Sequence, residues 1–254
     1  MLTLYHLHHS ICSQKVRFCL AEKGLAFEGR IVDLSRFEHL EPWYLEINPN
    51  GVIPALIVDG EPIVESTVIC EFLDDWRPEP RLTPRDAFGR AHMREWLRYI
   101  DEVPSMAVRV PSFQNVLLPG YQAMDARVFD DAVKRMSNRR AFFRRMGQTG
   151  FPQEDYDDAV RLLGETVERM DRALTAAPWL AGEAFTVADI CLAPVVQRME
   201  ELGFGHFWAE RPAVAGWLDR IRARPAWDRA LYTGSRFAEI FPADVFPGRV
   251  AAAT

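Results

Sequence analysis

Leu2, Leu4 and His6 alternate with Thr3 and Tyr5, the period-two pattern of a short half-buried strand. From Ser10 the spacing lengthens: Cys12, Val16, Cys19 and Leu20 share one helical face, which predicts a helix from Ser10 to Lys23 with Gly24 as its stop. Phe27 to Asp33 reads as a second strand, and Ala55 to Val58 and Pro62 to Val64 flank Asp59-Gly60, a hairpin signal. Ser66 then opens a helix to about Asp75, with Val68, Ile69, Phe72 and Leu73 on one face. Beyond residue 86 strand signals give way to helical periodicity over 86–103, 125–146, 155–176, 187–201 and 211–223.

The order βαβ followed by ββα fits a thioredoxin-like α/β domain over residues 1–80, succeeded by an all-α domain over 86–254. Between them Pro78, Pro80 and Pro84 suit a linker in which helix cannot continue. A chain of 254 residues with 48% apolar content buries a sizeable core, so general disorder is excluded. The net charge of -6 disfavours nucleic acid or an anionic membrane as partner. That charge is uneven, because residues 1–80 hold 6 basic and 13 acidic side chains. Cys12, Cys19, Cys70 and Cys191 have no CxxC or metal-like spacing and fit free thiols of a reducing compartment. With neither a signal-peptide pattern nor a membrane-length apolar run, a cytoplasmic soluble protein is expected.

Candidate chemistry gathers at three places. Ser10-Ile11-Cys12-Ser13 opens the first helix, where unpaired N–H groups and the helix dipole favour an anion, including a thiolate; Ser10 equally reads as a plain N-cap. Cys12, on the Val16 face, reads as a buried inert thiol. Ile53-Pro54 precedes the third strand, and a cis proline there would leave the Ile53 backbone free to pair with an extended peptide, against the commoner trans turn. Glu65-Ser66 starts the next helix, where a carboxylate and a hydroxyl beside free amides can hold both ends of an α-amino acid, or merely cap the helix. Thr186 and Asp189 form a capping box with Phe185 as a staple, a folding device. Strand alternation separates His9 from His6 and His8, so no metal site is expected. Segment 127–146 is rich in arginine and reads either as a solvated helix face or as an anion-attracting wall over a site.

These sites, in this order and followed by the FTVADI box, resemble the cytosolic glutathione S-transferase family across essentially the whole chain. EKGLAFE, INPNGVIPALIVDG, VESTVICEFLDD and GFPQE are most similar to the bacterial glutathione-dependent β-etherases of lignin breakdown. The resemblance implies that Pro54 is cis, that Ile53 pairs with the cysteinyl backbone of glutathione, and that Glu65 and Ser66 hold its γ-glutamyl end. Ser10 falls where many serine-type members place the thiolate-stabilising hydroxyl and Ser13 where the β-etherases have theirs, which puts Ser13 slightly ahead. Val52 stands where a Lys or Gln is frequent, and His39 is the candidate to replace that grip on the glycyl carboxylate.

The acceptor pocket is expected between the domains, walled by Trp96, Tyr99, Met106, Phe113 and Tyr121. The activity implied is attack of the glutathione thiolate on an electrophilic, aromatic substrate, with β-aryl ether cleavage as its specific form. General conjugation, a zeta-like isomerase (SxCS resembles its SSCS motif, with Ile11 as the departure) and a non-catalytic binding or scaffold protein of the same fold are the alternatives. Glutathione as cosubstrate, no metal, a small hydrophobic or aromatic electrophile and a homodimer complete the expectation.

Overall fold

In the computed structural model, which describes residues 1–242 and 245–246, β1 (Leu2–His6) buries Leu2, Leu4 and His6 on one face, as its alternation requires. It pairs parallel with β2 (Glu28–Ile31) and antiparallel with β3 (Ala55–Val58), which forms a hairpin with β4 (Glu61–Val64); the sheet order is β2-β1-β3-β4. Leu4 sits opposite both Gly29 and Leu56, at the centre of the register. Asp59 and Gly60 take positive φ in the hairpin turn.

Helix α1 (Ile11–Glu22) starts at Ser10, whose hydroxyl accepts the Ser13 N–H at 3.3 Å, and Gly24 follows at φ 63°. After the short α2 (Pro42–Leu45), α3 (Ser66–Trp76) packs beside α1. The segment to residue 86 carries neither helix nor strand, yet it is tied down: Asp74 accepts the Leu82 N–H at 2.8 Å and Lys23 Nζ donates to the Pro80 carbonyl at 2.6 Å.

The helical half begins with α4 (Ala87–Glu102), capped by Asp86. Short α5 (Pro104–Ala107), α6 (Arg109–Ser112), a π-helical turn (Phe113–Leu117) and α7 (Leu118–Gln122) follow. The helix expected over 125–146 is two, α8 (Ala126–Arg135) and α9 (Arg140–Met146). Met136 leaves the helix in extended conformation, and the Ser137 hydroxyl donates to the Asn50 carbonyl at 2.8 Å, anchoring the break against the sheet domain. Helices α10 (Gln153–Ala176), α11 (Val187–Glu201), α12 (Pro212–Arg222), α13 (Pro225–Ala230) and α14 (Phe237–Ile240) complete the described chain; residues 243–244 and 247–254 of the expected second domain lie outside the described residues. No helix among the described residues is long and apolar enough to cross a membrane.

The halves meet at α1, which packs against α3, α11 and α13, and this burial explains the charged side chains found inside it. Lys15 reaches Asp101 (3.2 Å) and Ser105 (3.0 Å), and Arg17 donates to the carbonyls of His8 and Ala230, so each buried cation is compensated across the domain junction. Helix α11 is buried nearly throughout, and its Thr186–Asp189 capping box forms; the Phe185 ring lies 5.0 Å from that of Trp179 and 6.1 Å from that of Phe18.

Two histidines at this junction make the fold acid-sensitive. Burial, then Arg17, lowers His6 to about 3; burial, then Arg198, lowers His9 to about 3, its ring packed against Phe237 and Phe241. Both folded values lie below the unfolded value of 6.5, so their neutral forms contribute stability that is intact above pH 6.5 and is lost as pH falls towards 3. Each costs about 1.4 kcal/mol at pH 5.5. His39, lowered to about 4 by burial and Arg135, adds a similar share, so the urea midpoint of the native protein should fall between pH 7.5 and pH 5.5 and should fall by about a third less in His9→Phe; equal falls would rule out His9 as a source.

Candidate active site

The N-terminus of α1 opens into a cavity of about 160 Å3 between the sheet domain and the helical half. Ser10, Ile11 and Cys12 form its floor, Ile53 and His39 one side, and Phe113, Tyr121, Phe142 and Phe143 an aromatic wall. That wall is cross-braced: Phe113 lies 5.0 Å from Phe142, edge to face, and stacks on Tyr121 at 6.0 Å. The GFPQE segment supports it from behind. Phe151 packs on Phe142 at 4.9 Å, its N–H donates to Gln114 Oε1 at 2.8 Å, and a side chain at Gly150 (φ 96°) would stand 2.7 Å from the Gln114 amide.

Ser10 lines the cavity; its oxygen accepts the Ser13 N–H, and its proton has no acceptor among the described residues, which leaves it available to an anion. Ser13 is fully buried, accepts the Leu7 N–H at 3.3 Å and does not line the cavity. Cys12 departs from the inert thiol expected of its helical face: Val16, Cys19 and Leu20 are fully buried, whereas Cys12, at the helix mouth, lines the cavity with Arg109 at 3.9 Å from its sulfur. Burial pushes its thiol up, but Lys15, Arg109 and Arg139 outweigh that and bring it below the ordinary range.

The Ile53–Pro54 peptide bond is cis, and among the described residues neither the N–H nor the C=O of Ile53 has a hydrogen-bond partner. The loop before it is fixed by Tyr44 and Asn48, which both donate to the Val52 carbonyl. Glu65 is exposed and holds φ 67° at the start of α3, a conformation rare for a residue with a side chain and one that concentrates at functional sites; its carboxylate meets Asn50 Nδ2 at 3.5 Å. Ser66 is buried beside it. Pro54, Glu65 and Ser66 stand outside the aromatic cavity, next to the Asn50–Ile53 loop that borders it.

His39 is neutral at pH 7, because burial and then Arg135 lower it to about 4; its Nδ1 is buried without a partner. It offers a hydrogen bond where a cation was expected. Of the residues expected to wall an acceptor pocket, Phe113 and Tyr121 line this cavity. Trp96 and Tyr99 turn to α10 instead: Arg169 lies 4.8 and 4.1 Å from their ring centres and Tyr99 Oη is 2.9 Å from Thr166 Oγ1. Met106 is 37% exposed beside the cavity, with its sulfur against the guanidiniums of Arg109 and Arg139.

Sequence reasoning missed Arg109, and Arg139 was visible only as one of many charges in 127–146. Most of that segment follows the solvated reading, as with Arg145, which pairs with Glu154 and Asp155 at the surface. Arg139 stands at the α8–α9 break and is carried into the cavity. No cluster of three or more His, Cys, Asp or Glu suited to a metal occurs among the described residues.

Residues 9–76 match the family model of the glutathione S-transferase N-terminal domain and residues 153–220 that of the C-terminal domain. The chain is 36% identical over 234 residues to protein LigF of Sphingobium sp. strain SYK-6, covering 89% of this chain and 91% of LigF. The crystal structure of beta-etherase LigF from that strain superposes with a TM-score of 0.83 over 90% of this chain and 98% of that one, at 35% identity. A maleylacetoacetate isomerase of Pseudomonas aeruginosa is 42% identical over 96 residues, 37% of this chain and 45% of the isomerase.

Proposed function

The chain belongs to the glutathione S-transferase family and is an enzyme of it, and we propose that it uses the thiolate of glutathione to cleave a β-aryl ether beside a ketone. The observation that carries this reading is Ser10: a hydroxyl with its proton free, at the mouth of a helix N-terminus, facing a cavity walled by phenyl rings. Glutathione lies along the unpaired Ile53 backbone before cis-Pro54, its γ-glutamyl end at Glu65 and Ser66 and its glycyl end towards His39. Likeness to LigF supports the acceptor class.

A thiol with a pKa of about 8.5 is only about 3% thiolate at pH 7. Lowering it by about two units takes ~2.7 kcal/mol of preference for the charged form. The α1 N-terminus contributes about 0.3 to 1 kcal/mol, up to ~2 when partly buried, and a hydrogen bond from Ser10 to the charged sulfur about 1.5 to 3 kcal/mol. Together they suffice, with no general base in the scheme. The thiolate electron pair forms the C–S bond, the C–O bond breaks, and its pair leaves on the aryl oxygen as phenolate.

Purified protein given glutathione and a β-aryl ether ketone should release phenol, with the thioether as co-product and no release when glutathione is omitted. Binding of glutathione without release would remove the ether substrate and keep the family activity. Isomerisation of a maleylacetone-type diketone is the second reading, carried by the local identity to the maleylacetoacetate isomerase and by Cys12 at the cavity floor; it predicts glutathione-dependent turnover of the diketone instead.

A further inference from the structure

Three arginines reach the cavity, and one of them is fully committed. Arg198 pairs with Glu201 at 3.0 Å, donates to the His9 carbonyl at 2.6 Å and lies over the Phe237 ring. Arg109 and Arg139 are different. Among the described residues neither has an ion-pair partner; their side-chain contacts are the Met106 sulfur, at 2.8 and 3.6 Å, and for Arg109 the Cys12 sulfur at 3.9 Å. Burial and the nearby charge of Arg109 lower Arg139 to about 10, so it stays charged at neutral pH in a place that disfavours charge.

Two like charges at the wall of a cavity, neither in an ion pair among the described residues and with only the more distant Glu65 carboxylate and the Cys12 sulfur acting favourably on Arg139, are open to an anion carried by what enters. What enters also meets Phe113, Phe142 and Phe143, so it carries an aromatic ring. We infer that Arg109 and Arg139 form a seat for the phenolate oxygen of the aryl group expelled in the proposed reaction. This rests on the β-aryl ether reading above. The negative charge arrives on that oxygen only as the C–O bond breaks, so the two guanidiniums bind the transition state and product anion more tightly than the neutral ether. The phenolate takes its proton from water after leaving.

The seat can be tested without turnover, with 4-nitrophenol as probe, because its phenolate is coloured and its phenol is not. Titrating the probe on the protein should show the phenolate bound at least tenfold more tightly than the phenol, so the bound probe ionises at lower pH than the free one. Arg109→Met and Arg139→Met should each abolish most of that preference, and Arg109→Lys should restore part of it. Failure of the probe to bind, an unshifted titration in the native protein, or an intact shift in both methionine variants would each overturn the inference. Glutathione affinity is measured on the same variants. If it falls while the nitrophenolate preference survives, the arginines serve glutathione's own carboxylates and the seat is refuted. A shifted titration in a protein that releases no phenol from any ether would instead remove the reaction and leave the seat.

Discussion

Ser10→Ala is expected to lower kcat/KM for the glutathione-dependent reaction at neutral pH by roughly ten- to hundredfold, the rate equivalent of losing a hydrogen bond to a charged sulfur. The loss should appear as thiol chemistry: the bound glutathione pKa rises towards its free value, and part of the rate returns at higher pH, where the thiolate forms unaided. Glutathione affinity should change much less, since Ile53, Glu65 and Ser66 provide the peptide contacts. Ser13→Ala separates the two serines. Ser13 is fully buried and accepts the Leu7 N–H, so its loss leaves an unsatisfied buried donor and costs about 1 to 3 kcal/mol of stability. The bound thiol should titrate as in the native protein. A raised thiol pKa in Ser13→Ala with none in Ser10→Ala would reverse the assignment.

The largest loss of stability is expected at Asp189→Ala, about 3 to 5 kcal/mol. The carboxylate is completely buried at the start of α11 and accepts N–H groups from Leu180 (3.0 Å), Thr186 (2.9 Å) and Trp217 Nε1 (2.9 Å). Burial pushes its pKa up, opposed by those donors. Alanine leaves three buried N–H groups and the Thr186 hydroxyl without their acceptor and uncouples α11, which packs against α1, from the Trp179–Gly182 turn and from α12. Thr186→Ala, which removes only the cap, should cost about 1 kcal/mol. Chemical denaturation reads both; a cost below about 1 kcal/mol for Asp189→Ala would show that these contacts are not the anchor.

Features encoded by neighbouring residues were legible in the sequence: Ser10 as a cap, Asp59-Gly60 as a turn, Thr186 and Asp189 as a reciprocal box. Each is local chemistry, complete within a few positions. Periodicity also separated the strands from the helical half, because burial of one face dictates spacing whatever covers that face. It could not say what the cover is. Trp96 and Tyr99 have the right composition for an acceptor wall, yet Arg169 and Thr166 on α10 claim them. Cys12 repeats at the interval of three core residues, but it belongs to the first turn, where the helix emerges from the core into the cavity. The helical pattern over 125–146 hid a break at Met136–Asn138, where the chain bends at Ser137 and turns at Asn138, and the Ser137 hydroxyl donates to the Asn50 carbonyl 87 positions away. That same break brings Arg139 to Arg109, a meeting that no local spacing encodes.

A helix mouth that turns a bound thiol into a thiolate is what the proposed activity depends on, and titration of glutathione on the protein measures this directly through the ultraviolet absorbance of the thiolate. The native complex should ionise about two units below free glutathione, and Ser10→Ala should lose most of that shift. A bound thiol that ionises at its free value in the native protein would contradict thiolate activation at the α1 N-terminus.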